Sequence, residues 1–303
     1  MKCLVTGGAG FIGGHLVDKL IEQSHKVIVI DNLSAGKKEN LNPKAEFHQL
    51  DICDFDKIKP LFEGVNFVFH LAAIPRVPVS VADPVNTSRV NILGTVNVFK
   101  AGIDAKVKKI IFASSSSVYG DQKKLPLEES MTPNPLSPYA LQKLSGEQFA
   151  KLFVNLYEVP IVCLRFFNVY GPRIDFNSDY SLVIGKFLKL SNENKPLTIF
   201  GDGEQTRGFC YVDDVVEANI KIMESKKIKG GEVINIGSNK SYSINYLSKM
   251  IGGEVRYLPP RAGDIRYTQA DISLAKKLIG WEPKINFKDG IIKVKQWFQK
   301  YGK

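Results

Sequence analysis

Long apolar runs are missing from this chain of 303 residues. Stretches such as Phe67 to Ala73 fall well short of the roughly 20 apolar residues that a membrane-spanning helix needs. The amino terminus, MKCLVTGG, enters an apolar strand at once and leaves no room for a cleavable leader, so a cytoplasmic protein is expected. Cysteine is scarce: Cys3, Cys53, Cys163 and Cys210 are isolated from one another, and three lie in or beside apolar runs, which favours reduced buried thiols over a disulfide framework. The four histidines show no metal-ligand spacing either. Acidic residues are outnumbered, with 31 Asp and Glu against 41 Lys and Arg, a formal charge of +10. The lysines are scattered over amphipathic segments such as 221 to 229 and 288 to 300, without the interleaved aromatics of an RNA-binding surface. A nucleic-acid partner is therefore not expected, and the balance suits an anionic small molecule such as a nucleotide diphosphate.

What is present is a strand, a glycine turn and a helix at the start. Lys2 to Thr6 reads as a buried strand, TGGAGFIG as the turn, and Leu16, Val17, Leu20 and Ile21 give the next segment helical spacing. Gly7, Gly10 and Gly13 let the turn be tight, admit a pyrophosphate to backbone amides, and let the helix pack on its strand. Phe11 and Ile12 sit within the same turn. A second apolar strand, Val27 to Ile30, ends in Asp31 followed by Asn32. A carboxylate there binds both ribose hydroxyls of NAD and repels the phosphate of NADP, so NAD is expected.

Strand-like runs at 47 to 51, 67 to 73, 109 to 116 and 160 to 166 alternate with helical stretches. The pattern predicts an α/β fold, a doubly wound parallel sheet covered on both faces, with ligands at the carboxyl ends of the strands. Asp51, Ile52, the segment Leu71, Ala72 and Ala73, Asn91 and the serine run from Ser114 to Ser117 all fall at such ends. After Arg165 the pattern loosens: 166 to 180 reads as loop. A smaller lobe is expected from residue 171 onward, with returns to the first sheet near 211 to 237 and a division at about 170.

Tyr139 and Lys143, in YALQK, are four apart and share one helix face. A phenol has a pKa near 10, and the ammonium is expected to sit close enough to favour the phenolate.

The ordered set TGGAGFIG, Asp31, HLAA, NILGT, SSSSVYG, YALQK, RFFNVYGPR, GDGEQTRGFCYVDD and PPRAGDIRYTQAD resembles the extended short-chain dehydrogenase/reductase family, in particular the NAD-dependent nucleotide-sugar epimerases typified by UDP-galactose 4-epimerase. The resemblance covers nearly the whole chain. It implies a Rossmann-type domain holding NAD, a carboxyl-terminal α/β lobe holding a UDP-sugar, and a homodimer formed through the helices near 91 to 101 and from 138 onward. It makes Tyr139 the base and Lys143 its partner and a ligand of the nicotinamide ribose. The family's catalytic hydroxyl, four residues before Tyr119 of VYG, falls on Ser115, and Ser117 faces the sugar. Asn168 is implied as a contact to diphosphate or sugar, Arg207 as a diphosphate ligand, and Arg261 with Asp264 as a grip on the nucleotide. Related dehydratases and decarboxylases carry an acid where this chain has Ser116 and Ser117. Uronic-acid epimerases tend to have Thr in place of Asn168, and they lack the RIDFNSDYS loop. Thr268, seven places after Arg261, corresponds to the residue whose bulk limits the space beside the second sugar carbon, and its small side chain implies room for an N-acetyl group. A non-catalytic NAD-binding regulator is the alternative of a different class, and such relatives commonly lose the Tyr or Lys that this chain keeps.

Overall fold

In a computed structural model of the chain, residues 1–176, 183–260 and 265–302 are described. Six strands, β1 (Lys2–Thr6), β2 (Lys26–Ile30), β3 (Glu46–His48), β4 (Phe67–His70), β5 (Lys109–Ser115) and β6 (Ile161–Phe166), form one sheet with a seventh, Val233–Ile236. The order across it is Val233–Ile236, β6, β5, β4, β1, β2, β3, and every pairing is parallel. The chain runs outward from β1 through β2 to β3, then crosses back to β4 and continues the other way. That reversal opens a crevice above the carboxyl ends of β1 and β4, where loops diverge to opposite faces.

The strands are apolar along their length because both faces are covered. Over one face, Leu16, Val17 and Leu20 of the Phe11–Glu22 helix and Val215, Val216 and Ile222 of the Val212–Glu224 helix enter one core. Over the other, Val98 and Phe99 of the Thr95–Asp104 helix and Ala150 of the Pro138–Tyr157 helix meet Phe112 and Phe62. Ser137 starts that long helix. Its hydroxyl accepts from Ala140 N at 3.2 Å, and Pro138 occupies the first turn, where a missing N–H costs nothing. Tyr139 is thereby set in the first turn, facing the strand ends.

The segment expected as loop from 166 contains a short strand, Val169–Tyr170, in parallel pairing with Cys210–Tyr211. Two-residue strands carry no periodicity, and this one is defined by a partner 41 residues away. Smaller sheets formed by Thr206–Arg207, Tyr242–Ser243 and Tyr267–Thr268, and by Leu197–Phe200 with Val255–Leu258, complete the carboxyl-terminal part. No described helix is long and apolar enough to cross a membrane.

Candidate active site

Gly7, at φ +75°, opens the glycine turn, and a Cβ there would lie 2.7 Å from Ala72 N. A Cβ on Gly13 would lie 2.1 Å from Gly7 O, so the helix can pack this close to the turn only with glycine. Gly10 carries no side-chain cap, which leaves the helix amino terminus facing the crevice with its amides available to an anion. At the end of β2, Asp31 Oδ2 accepts from Ala9 N at 3.0 Å and Oδ1 from Leu33 N at 2.8 Å. Burial raises the Asp31 pKa, and these two N–H donors oppose the rise. Each carboxylate oxygen keeps a further lone-pair site, the capacity that a ribose diol requires.

The sequence-expected residues converge on one cavity of about 940 Å³. Around the glycine turn it is lined by the three glycines with Phe11, Ile12, Asp31, Asn32, Asp51, Ile52, and the Leu71, Ala72 and Ala73 segment. Its other end holds Ser115, Ser117, Tyr139, Lys143, Asn168, Arg207 and Thr268. Arg261 and Asp264 lie outside the described residues, as does most of the RIDFNSDYS loop.

Asn91 is the exception. It is buried away from the cavity lining, with Oδ1 accepting from Ile74 N at 2.8 Å and Nδ2 donating to Ile74 O and to Gln142 Oε1. Its amide is engaged by Ile74 and Gln142 and braces the 74 segment at the cavity wall. Beneath that wall, His70 bridges Thr6 Oγ1 at 2.7 Å and Thr95 Oγ1 at 2.9 Å, and burial lowers it to about 3, so it is neutral.

The serine run divides by the pleat and the turn that follows. Ser114 Oγ points behind the sheet and donates to Glu147 Oε1 at 2.5 Å. Ser115 ends β5 on the cavity side, and its Oγ accepts from Ser117 Oγ at 2.9 Å and Ser117 N at 3.2 Å. Burial pushes the Tyr139 phenol up to about 12, against a hydrogen bond with Ser115 and the positive charge of Arg76. Lys143 lies over the tyrosine ring and is anchored on the sheet. Its Nζ donates to Ala113 O at 2.7 Å and stands 5.9 Å from the Tyr139 ring centroid, and burial lowers it to about 8. Helical spacing puts both residues on one face, and a strand carbonyl anchors the lysine nitrogen there.

A second cation, Arg76, which the sequence did not single out, also favours the phenolate. It lines the cavity and pairs with Asp175 Oδ2 at 3.0 Å, linking the loop after β4 to the segment after Val169–Tyr170. Arg173 and Lys37 also line the cavity, and Arg173 was visible only as part of YGPR. Removing the Arg76 charge makes the phenolate harder to form, so a base that must be deprotonated titrates higher. Arg76→Leu is expected to move the acid limb of the kcat–pH profile up by about one unit, the low end of the effect of a nearby charge. An unmoved limb would show that Arg76 does not tune the phenol.

A model of the NAD-dependent epimerase/dehydratase family matches residues 3–237. The chain belongs to that family. It is similar to a UDP-glucose 4-epimerase of Thermotoga maritima solved with UDP-glucose, at 40% identity and a TM-score of 0.96 over 100% of both chains. It is 41% identical to a UDP-N-acetylglucosamine 4-epimerase of Methanobrevibacter ruminantium solved with UDP-N-acetylmuramic acid, at a TM-score of 0.94 over 99% of this chain and 98% of the other. A UDP-glucuronic acid 4-epimerase of Bacillus cereus, solved with UDP-glucuronic acid and NAD, is 36% identical at a TM-score of 0.92 over 99% of each. As a family member the chain is an isomerase of the UDP-sugar 4-epimerase type that depends on NAD. The glycine turn, the uncapped helix start and Asp31 fit that cofactor in this structure.

Proposed function

We propose that this epimerase interconverts the 4-epimers of neutral UDP-hexoses, UDP-glucose with UDP-galactose, and also those of their N-acetylated counterparts. One observation carries the reading: the Tyr139 phenol and the Ser115–Ser117 hydroxyl pair face the same cavity that runs unbroken from the Asp31 dinucleotide end to Asn168 and Thr268. Ser115 and Tyr139 bracket the sugar 4-hydroxyl. Tyr139, as phenolate, accepts its proton while Ser115 holds the oxygen in line, and a 4-keto sugar results. Bound NAD supplies hydride acceptance and return, which makes the net reaction redox-neutral. Tyr139 then returns the proton to the opposite epimer after the ketone has turned in the site. Lys143, held on Ala113 O, is placed to carry a ribose hydroxyl once a ligand competes for its remaining hydrogens.

Thr268 is small and pairs with Arg207 in strand register, which supports reading the part of the chain from 171 onward as a substrate lobe. A small residue leaves space for an acetamido group without demanding one, and a group that merely fits alters discrimination by about 1–3 kcal/mol. Incubating purified protein with UDP-galactose or UDP-N-acetylgalactosamine, without added nicotinamide, tests the proposal. Epimer formation is expected, and its absence from both overturns it.

UDP-glucuronate 4-epimerisation is the second reading, favoured by the cations Arg76 and Arg173 in the cavity wall, and a feed of UDP-glucuronate tests it. Binding of NAD and UDP-sugar with no substrate-driven reduction of bound NAD would instead revive the non-catalytic regulator. The Pro138–Tyr157 helix leaves Leu141, Leu152 and Leu156 at least half exposed, at 53%, 50% and 60%. Such a row on one element supports a homodimer, and light scattering at micromolar concentration checks it. Four free thiols fit a reducing cytoplasm.

A further inference from the structure

Asn168 lies two residues past Phe166, the last residue of β6, which is in register with Ser115. Ser117 lies two residues past Ser115 of the neighbouring strand, so Asn168 and the serine pair follow adjacent strand ends, and both line the cavity. The backbone of Asn168 has φ +35°, and its carbonyl accepts from Cys210 N at 3.3 Å.

The side-chain amide has a defined polarity. Nδ2 donates to Gly208 O at 3.4 Å and to Thr268 Oγ1 at 3.2 Å. A carbonyl only accepts, so the nitrogen end must face Gly208, and the orientation follows from chemistry. Gly208 is itself anchored, with its N–H donating to Thr268 O at 2.8 Å. Both amide hydrogens are thereby used, and the atom left for the cavity is Oδ1, which can only accept. An acceptor there cannot hydrogen-bond a phosphate or a carboxylate, which are also acceptors.

We propose that Thr268, together with the Gly208 carbonyl, sets the amide of Asn168 so that the sugar end of the cavity presents an acceptor, selecting a sugar that offers a hydroxyl or N–H at that point and rejecting a carboxylate. Thr268 then has two roles: its small size admits bulk, and its hydroxyl holds a neighbour in one orientation. Asn168 is assigned to the sugar and not to the diphosphate.

The inference rests on the nucleotide-sugar reading above, and the test separates the two. kcat/KM is measured for UDP-glucose and UDP-glucuronate on the native chain, Thr268→Val and Thr268→Ser, and binding of both ligands is followed by calorimetry. The native chain is expected to favour UDP-glucose by about 100-fold or more, below the ceiling for sites with dedicated hydrogen-bond partners. Thr268→Val, nearly isosteric but without the hydroxyl, leaves the Gly208 carbonyl, at 3.4 Å, as the amide's one anchor and loosens its orientation. The ratio should fall about tenfold, mainly through KM, while Thr268→Ser restores it. Should the valine variant fail to unfold cooperatively, Thr268→Ala carries the same comparison. An unchanged ratio in an active Val or Ala variant, or a native preference for UDP-glucuronate, overturns the proposal. Absence of binding and turnover for both sugars instead overturns the functional reading on which it rests.

Discussion

Tyr139→Phe is expected to lower kcat by about 10³-fold or more, within the contribution of a positioned acid–base group, and to leave the melting temperature and NAD content nearly unchanged. The substitution removes one oxygen from a ring that is 9% exposed, and the ring keeps its packing. The main chain of residue 139 is held independently, by its N–H donating to Ser80 Oγ at 3.0 Å. The measurement is a discontinuous epimer assay run beside a thermal melt. Activity within tenfold of the native value would place the base elsewhere, with the Ser115–Ser117 pair next in line.

The largest expected effect on stability is at Glu147, one helical turn beyond Lys143. Its carboxylate receives Arg165 Nε at 2.9 Å and Nη2 at 2.7 Å as well as the Ser114 hydroxyl, and the two charged side chains are 3% and 4% exposed. Glu147→Ala leaves the guanidinium buried over the Tyr119 ring, 4.5 Å from its centroid, without its hydrogen-bonded partner. Breaking one side of a buried pair costs about 3–5 kcal/mol, so the urea midpoint should drop by more than 1 M at an m-value of about 2 kcal/mol/M. Glu147→Leu combined with Arg165→Met should recover much of that loss, because an apolar pair of similar volume has no charge to desolvate. A midpoint within about 0.3 M of native for the single variant would mean that water reaches the site.

The alternation of strands and helices was legible because parallel strands, covered on both faces, read as continuous apolar runs such as KVIVI and KIIFAS. The glycine turn with Asp31 was legible for a different reason. Its chemistry needs particular residue types at fixed offsets, and both lie in one βαβ unit. What spacing could not show was where long side chains end. Lys143 shares a face with Tyr139 and lies over its ring, but its nitrogen is anchored on Ala113 O, and Arg76, 63 places before Tyr139, adds a second charge that favours the phenolate. Asn91 was read at a strand end but lies in the helical segment Arg89–Gly94, and its amide is engaged by Ile74 and Gln142, contacts that exist only once β4 and the long helix are brought together. Likewise, the size of Thr268 was readable, and its hydrogen bond to Asn168 was not.

The seventh strand, Val233–Ile236, pairs with β6 only after the chain has left the sheet and built the Val169–Tyr170 and Cys210–Tyr211 pair and the Val212–Glu224 helix. During synthesis β6 therefore waits as an open edge for roughly 70 further residues, which at about 5–20 residues per second is some 4 to 14 s. Through that interval its unpaired backbone invites pairing with another nascent chain. A version ended near residue 170 would keep the whole glycine turn and Tyr139 but make that edge permanent, so it should collect in the insoluble fraction even where its dinucleotide half is complete.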